Sequence, residues 1–235
     1  MSNKSTGQIT YLPKDVAVSD AQALDAEITD YRIAMARSGQ MPNESDVPGE
    51  FLDSYMEITH SAISLRDGDG GYRFTTDATW LTMPWFRGND SIGSCTLGAT
   101  FTPNTAEGYY GYDISYIMPN GDIDHDSDEH DITDNQHKTT DGWNGYAGIF
   151  NLPNDGVNTL YDNLYAHYEY CGHVGSPDES RWFNSIATYD HSLLTVNFDP
   201  SISIDTSGDV SASIGISLDV SADSRNAELE VHYVP

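Results

Sequence analysis

Between residues 210 and 220 the chain alternates without a break. Val210, Ala212, Ile214, Ile216, Leu218 and Val220 are apolar, while Ser211, Ser213, Gly215, Ser217 and Asp219 fill the positions between them. A period of two over eleven residues demands an extended strand with one buried face and one wet face, because a helix would spread the same residues around its whole circumference. A polar link, 221–226, leads into Ala227, Leu229, Val231 and Tyr233, which alternate with Glu228, Glu230 and His232. The expected arrangement is an antiparallel pair joined by a short loop. A slip of one residue would drive Glu228 and Glu230 into the core, so the register of such a strand is strongly specified.

The same period recurs upstream. Cys95, Leu97, Ala99 and Phe101 read as one strand. Tyr110, Tyr112, Ile114, Tyr116 and Met118 read as another, running into the turn Pro119-Asn120-Gly121-Asp122, whose Asn-Gly accepts positive φ. Shorter runs occur at Leu194, Val196 and Phe198 and at Ile202 and Ile204. One helix is expected from Ser19, which forms a capping box with Gln22, to Arg37, with Gly39 as its left-handed terminator. Leu24, Ile28, Tyr31 and Met35 make its apolar stripe, the contact of a helix docking on a partner subunit or covering its own sheet. Residues 157–171 fit both periods: Val157, Leu160, Tyr161 and Leu164 suit a helix, and Leu164, Ala166, Tyr168 and Tyr170 suit a strand.

Many short strands with 20 Gly and 10 Pro point to an all-β chain, a β-sandwich or jelly roll with one N-terminal helix and long acidic loops. The expected division is an arm and helix over 1–40 and a sandwich domain over 41–235. Its segment from about 119 to 142, poor in large apolar residues, is read as an exposed acidic loop.

Charge narrows the partners. Among 235 residues, 27 Asp and 10 Glu face 3 Lys and 7 Arg, a formal net charge of −27. A nucleic-acid surface needs the basic side chains this chain lacks. No run approaches the roughly 18 apolar residues of a membrane span. Residues 1–10 show neither an apolar signal core nor a twin-arginine pair, which argues against export. The carboxylates are spread along the whole chain rather than gathered in blocks, a composition suited to strong salt. At 1 M the Debye length is about 3 Å, so self-repulsion is screened while the surface stays hydrated.

Candidate chemistry is sparse. Asp122, Asp124, Asp126 and Asp128 place carboxylates at every second position and are weak calcium candidates, but Ser127 and Thr133 stand where an EF-hand needs Gly and Glu. The histidines of that segment, His125, His130 and His137, lack zinc-site spacing. There is no Gly-x-Ser-x-Gly elbow and no phosphate-binding glycine loop. No catalytic residue and no cofactor is implied. Cys95 and Cys171 are compatible with one disulfide or two free thiols. The tyrosines gather at 109, 110, 112 and 116 and at 161, 165, 168 and 170, suited to core and interface filling and also to sugar stacking.

Length, acidity and β-pattern together resemble the capsid proteins of tailless icosahedral, membrane-containing viruses of halophilic archaea, in which single jelly rolls stand upright on an internal membrane. The resemblance spans the chain as a pattern, with no motif matched residue by residue. It implies a non-enzymatic virion protein, assembled in the host cytoplasm, that self-associates with itself and with a second capsid protein near a viral membrane and binds no nucleic acid directly. The alternatives are a turret, spike or tail component with receptor or carbohydrate binding, and a glycan-active hydrolase of secreted type.

Overall fold

The computed structural model describes residues 9–10, 18–40, 55–65, 71–84, 87–132, 136–140, 143–174, 181–192, 202–205, 213–216 and 222–233. After strand β1 (Ile9–Thr10) comes helix α1 (Val18–Arg37). The strands β2 (Met56–Ser64), β3 (Gly71–Trp80), β4 (Asn89–Leu97), β5 (Ala99–Phe101), β6 (Glu107–Ile117) and β7 (Ile123–Asp131) follow. The rest are β8 (Gln136–Thr140), β9 (Trp143–Asn151), β10 (Thr159–Val174), β11 (Arg181–Ser192), β12 (Ile202–Asp205), β13 (Ser213–Ile216) and β14 (Ala222–Tyr233).

Among the described residues the strands form two antiparallel sheets and a small hairpin. The first runs β1-β2-β3-β10-β6-β7, with β5 also on β10; the second runs β14-β11-β4-β9-β8; β12 pairs with β13. The two large sheets pack face to face over an aromatic core, the sandwich the alternating pattern demands. Tyr72 and Phe74 on the first sheet meet Phe183 on the second, with ring centroids 5.1 and 6.0 Å apart. Trp80 meets Tyr189 at 5.8 Å and Tyr110 stacks on Phe150 at 4.8 Å.

Helix α1 lies beside β6 and β10. It begins at Val18, so Ser19 sits inside the first turn, with its hydroxyl 3.5 Å from the Asp20 carboxylate. Its end follows expectation. Gly39 takes φ +72°, Gln40 N–H donates to Met35 O and Gly39 N–H to Ala36 O, the two bonds of a left-handed helix stop.

Three expectations change, and one left open between helix and strand is decided. The alternating run from Cys95 to Phe101 is two strands in different sheets: β4 belongs to the second, β5 to the first, and the chain crosses at Gly98, whose φ is +74°. Among the described residues the two C-terminal runs do not pair with each other. β14 lies along all of β11, from Arg181 opposite Tyr233 to Ser192 opposite Ala222, while β13 pairs with β12. Residues 206–212 and 217–221 lie outside the described residues, as does the run at Leu194, Val196 and Phe198.

The acidic segment of about 119–142 is not one loop. After the turn at Gly121 it forms β7, paired with β6 from Ile117 opposite Ile123 to Tyr109 opposite Asp131, and then β8 on β9. An edge strand wet on both sides needs no apolar alternation, so its pattern carries no strand signal.

Residues 159–174 are a single strand with a bulge. Asp162 faces Asp113 and Tyr165 faces Gly111, leaving Asn163 and Leu164 opposite Tyr112 alone; Asn163 takes φ +51°. The extra residue reverses which face each parity addresses. Leu160 packs with Ile117 and Ala36 under the helix, whereas Leu164, Ala166, Tyr168 and Tyr170 point into the sandwich.

Candidate functional site

Three polar constellations could carry chemistry, and their burial sorts them. The first spans the sandwich. His60 on β2 has Nε2 2.7 Å from Ser185 Oγ on β11, and Nδ1 3.1 Å from both the Thr75 carbonyl and Thr76 Oγ1. In addition, Ser185 Oγ donates to the Cys95 carbonyl at 3.2 Å. Ser185 Oγ also lies 2.8 Å from Thr96 Oγ1, and Ser94 donates to the Tyr170 hydroxyl at 3.0 Å. This serine–histidine pair has the contact of a nucleophile and its base, yet both side chains are fully buried. Burial also pushes His60 down to about 4. Its role is to tie one sheet to the other through satisfied hydrogen bonds.

The second constellation lies near one end of the same interior. Tyr189 donates to Asp90 at 2.5 Å, His191 Nδ1 lies 2.8 Å from the same carboxylate, and the Trp80 indole N–H reaches the Tyr189 hydroxyl at 3.3 Å. Burial, with the Asp90 charge beside it, raises the Tyr189 phenol well above its ordinary value. Asp90, Tyr189 and His191 are all buried.

The third joins helix to sheet. Arg32 of α1 inserts between Asp155 and Asp162, at 2.6 and 2.5 Å, and donates to the Tyr161 carbonyl at 2.9 Å. Arg87 Nη1 shares Asp155 Oδ1 with Arg32, at 3.1 Å, and Asp25 accepts the Met83 N–H at 2.9 Å. Burial works against the Arg32 charge, but Asp155 and Asp162 more than offset it and hold its pKa above the ordinary value. Burial raises Asp25. Nothing in the apolar periodicity pointed to Arg32 or Arg87. Their scarcity in an acidic chain was the one available signal.

The helix stripe is placed accordingly. Ile28 is fully buried within its own chain, Leu24 and Tyr31 pack on it, and Met35 is half-buried. The apolar contact of the helix with the sheet is made by Ile33 and Ala36 against Ile117 and Leu160.

The accessible polar groups lie elsewhere. On the outer face of the first sheet, His167 stacks on Tyr109 with centroids 4.8 Å apart, and its Nδ1 is 2.7 Å from Asp77. That hydrogen bond raises the His167 pKa against the opposing effect of partial burial. Tyr165 crosses β6 over Gly111 to donate to Glu129 on β7 at 3.0 Å. Half-buried rings flanked by carboxylates form one strip across four strands.

The calcium candidates do not converge. Asp122 sits in the turn, where Asn120 Nδ2 donates to it at 2.6 Å. Asp124, Asp126 and Asp128 follow one another along β7, about 7 Å between successive same-face positions, which is too long for three to share one cation. Each instead accepts the N–H of the next residue: His125 at 3.0 Å, Ser127 at 2.9 Å and Glu129 at 3.0 Å. Among the described residues no group of three or more His, Cys, Asp or Glu side chains could hold a metal. Cys95 and Cys171 are free; Cys95 is buried, which raises its thiol to about 12.

No family model and no curated protein matches the sequence. Among solved structures, the chain is similar to the collagen-binding subdomain of the Enterococcus faecalis surface protein ACE, at 9% identity over 72% of this chain and 92% of that one, TM-score 0.31. It is similar to the collagen-binding domain from a Staphylococcus aureus adhesin, at 10% identity over 70% and 91%, TM-score 0.30. A third likeness is to Clostridium perfringens delta-toxin, at 8% identity over 97% and 89%, TM-score 0.29. Scores this low carry no functional inference.

Proposed function

We propose that this chain is a structural shell protein, a jelly-roll-like capsid subunit of a virus of halophilic archaea that self-associates, alongside a second capsid protein, near a viral membrane. The supporting observation is the division of its polar groups. Serine, threonine, histidine and tyrosine brace the two sheets from inside, while the carboxylates of β7 and the outer face meet solvent. A rigid interior with a hydrated acidic exterior suits a load-bearing subunit in strong salt. The test is the mass of the purified protein by light scattering in multi-molar and in low salt. Folded, higher-order assemblies at high salt support the reading. A monomer of 25.9 kDa under both conditions overturns it.

A second reading, a virion spike or tail component that binds carbohydrate, draws on the strip of Tyr109, Tyr165 and His167 beside Asp77 and Glu129. Rings and carboxylates are the groups that stack on and hydrogen-bond a sugar. A glycan panel whose hits vanish with Tyr109→Ala supports it; no hit on the panel refutes it.

A further inference from the structure

The inner face of the first sheet runs out from beneath its partner at one corner. Along β6 the residues facing inward are Tyr112 and Ile114, each 8% exposed, and then Tyr116 at 37%; Met118 follows at 41%. Val157 is 43% exposed and stands beside Asn158, whose carbonyl accepts the Ile117 N–H at 2.9 Å. Three of the six large apolar residues exposed among those described therefore meet at this corner. Large apolar side chains left together on a surface mark a contact.

The shelf has a charged rim. Asp124 pairs with Tyr116, Asp126 with Ile114 and Asp128 with Tyr112, so a row of carboxylates parallels the apolar row at the same strand spacing. The turn beneath is rigid: Met118 N–H donates to Asp122 O and Gly121 N–H to Met118 O, both at 2.8 Å. A segment that fits this shelf presents apolar and basic side chains together.

The chain itself holds one such segment. Residues 1–14 contain two of its three lysines, Lys4 and Lys14, no acidic residue, and Ile9, Tyr11 and Leu12. In a protein of net charge −27 this is an exceptional stretch. Its described part, β1, pairs with β2 at the opposite edge of the sheet from β7. We propose that the shelf formed by Tyr116, Met118, Val157 and the β7 aspartates receives the basic N-terminal residues of a second copy of this chain, Lys4 and Lys14 on either side of a β1 that stays paired with its own β2. Apolar contact supplies the adhesion, which strong salt reinforces, and the lysine–carboxylate contacts set the register. This inference deepens the assembly reading above and rests on it.

The test combines two measurements on full-length protein at the salt concentration where it assembles. A labelled peptide of residues 1–14 is titrated into a chain carrying Lys4→Glu and Lys14→Glu, whose own arms do not compete, and anisotropy is read. Binding is expected, with at least a tenfold loss on adding Met118→Asp and Val157→Asp, both at exposed positions. Light scattering then compares the Lys4→Glu/Lys14→Glu chain, an Asp124→Lys/Asp126→Lys chain and the fourfold variant. The first two are expected to fall to the monomer mass with unchanged circular dichroism, and the fourfold variant is expected to reassemble. Wild-type assembly without peptide binding, or charge variants that assemble like wild type, overturns the arm-and-shelf contact and leaves the shell reading standing. A wild type that stays monomeric while the peptide binds overturns the shell reading instead.

Discussion

The Tyr165 side chain occupies the space that a Cβ on Gly111 would need, and from there its hydroxyl donates to Glu129 on the edge strand at 3.0 Å. Three strands, β10, β6 and β7, are thereby joined by one side chain across one glycine. Gly111→Ala is expected to displace the ring and to cost about 1–3 kcal/mol, the usual range for forcing atoms into a packed site. Tyr165→Phe loses only an exposed hydrogen bond and is expected to cost under about 1 kcal/mol. Thermal unfolding of the two variants checks the order; equal melting of Gly111→Ala and wild type would refute it.

Arg32 holds α1 to the sheet between Asp155 and Asp162, and its own side chain is 2% exposed. Removing one member of a buried ion pair leaves its partners uncompensated, at about 3–5 kcal/mol. Arg32→Met is therefore expected to destabilise the chain by an amount in that range and to accelerate hydrogen exchange in α1 before it does so in β10. Uniform exchange would mean that the helix is held by its apolar contacts instead.

Two histidines give opposite pH responses. His60, at about 4 in the fold against the ordinary 6.5, is protonated in the unfolded chain first. Acidification from pH 6.5 to 4 should thus remove about 3 kcal/mol of stability through this group. His167 is raised by Asp77, so its contribution is present below its ordinary pKa and is lost as pH rises through the higher folded value. Stability against pH for His60→Gln and His167→Gln, each subtracted from wild type, should show slopes of opposite sign. Parallel difference curves would contradict both assignments.

The β7 aspartates face the edge-strand problem directly. Ile132 N–H donates to Gly108 O at 2.6 Å, and from there the even positions turn their amides toward β6, leaving those of His125, Ser127 and Glu129 on the open edge. Asp124, Asp126 and Asp128 accept these three amides. At low salt, away from the conditions of assembly, replacing all three by Ala should expose a pairing edge and produce concentration-dependent association in sedimentation. Replacement by Asn, which keeps an acceptor oxygen, should associate less. If the Ala variant sediments like wild type, the carboxylates do not guard the edge.

Local pattern determined a good deal of this protein. The period of two marked β6 and β14, the Asn-Gly turn after Met118 was legible, and so was the left-handed stop of α1 at Gly39. The acidity that constrains partners is likewise a property of the sequence alone. Alternation tells which faces of a strand are wet; it does not name the strand's neighbours, which depend on contacts far apart in the chain. So β14 found β11 rather than the run beside it, and Gly98 passed one alternating stretch into two sheets. The helical spacing of Leu160, Tyr161 and Leu164 was the trace of a bulge, because one extra residue reverses the faces and mimics a step of three or four. β7 was silent in sequence because an edge strand held by its ladder and by tyrosines from β6 and β10 needs no apolar residues of its own. The buried grips of Arg32, His60 and Asp90 were silent for the complementary reason. A polar side chain becomes a brace only when folding removes its water and supplies a partner from a distant strand or helix.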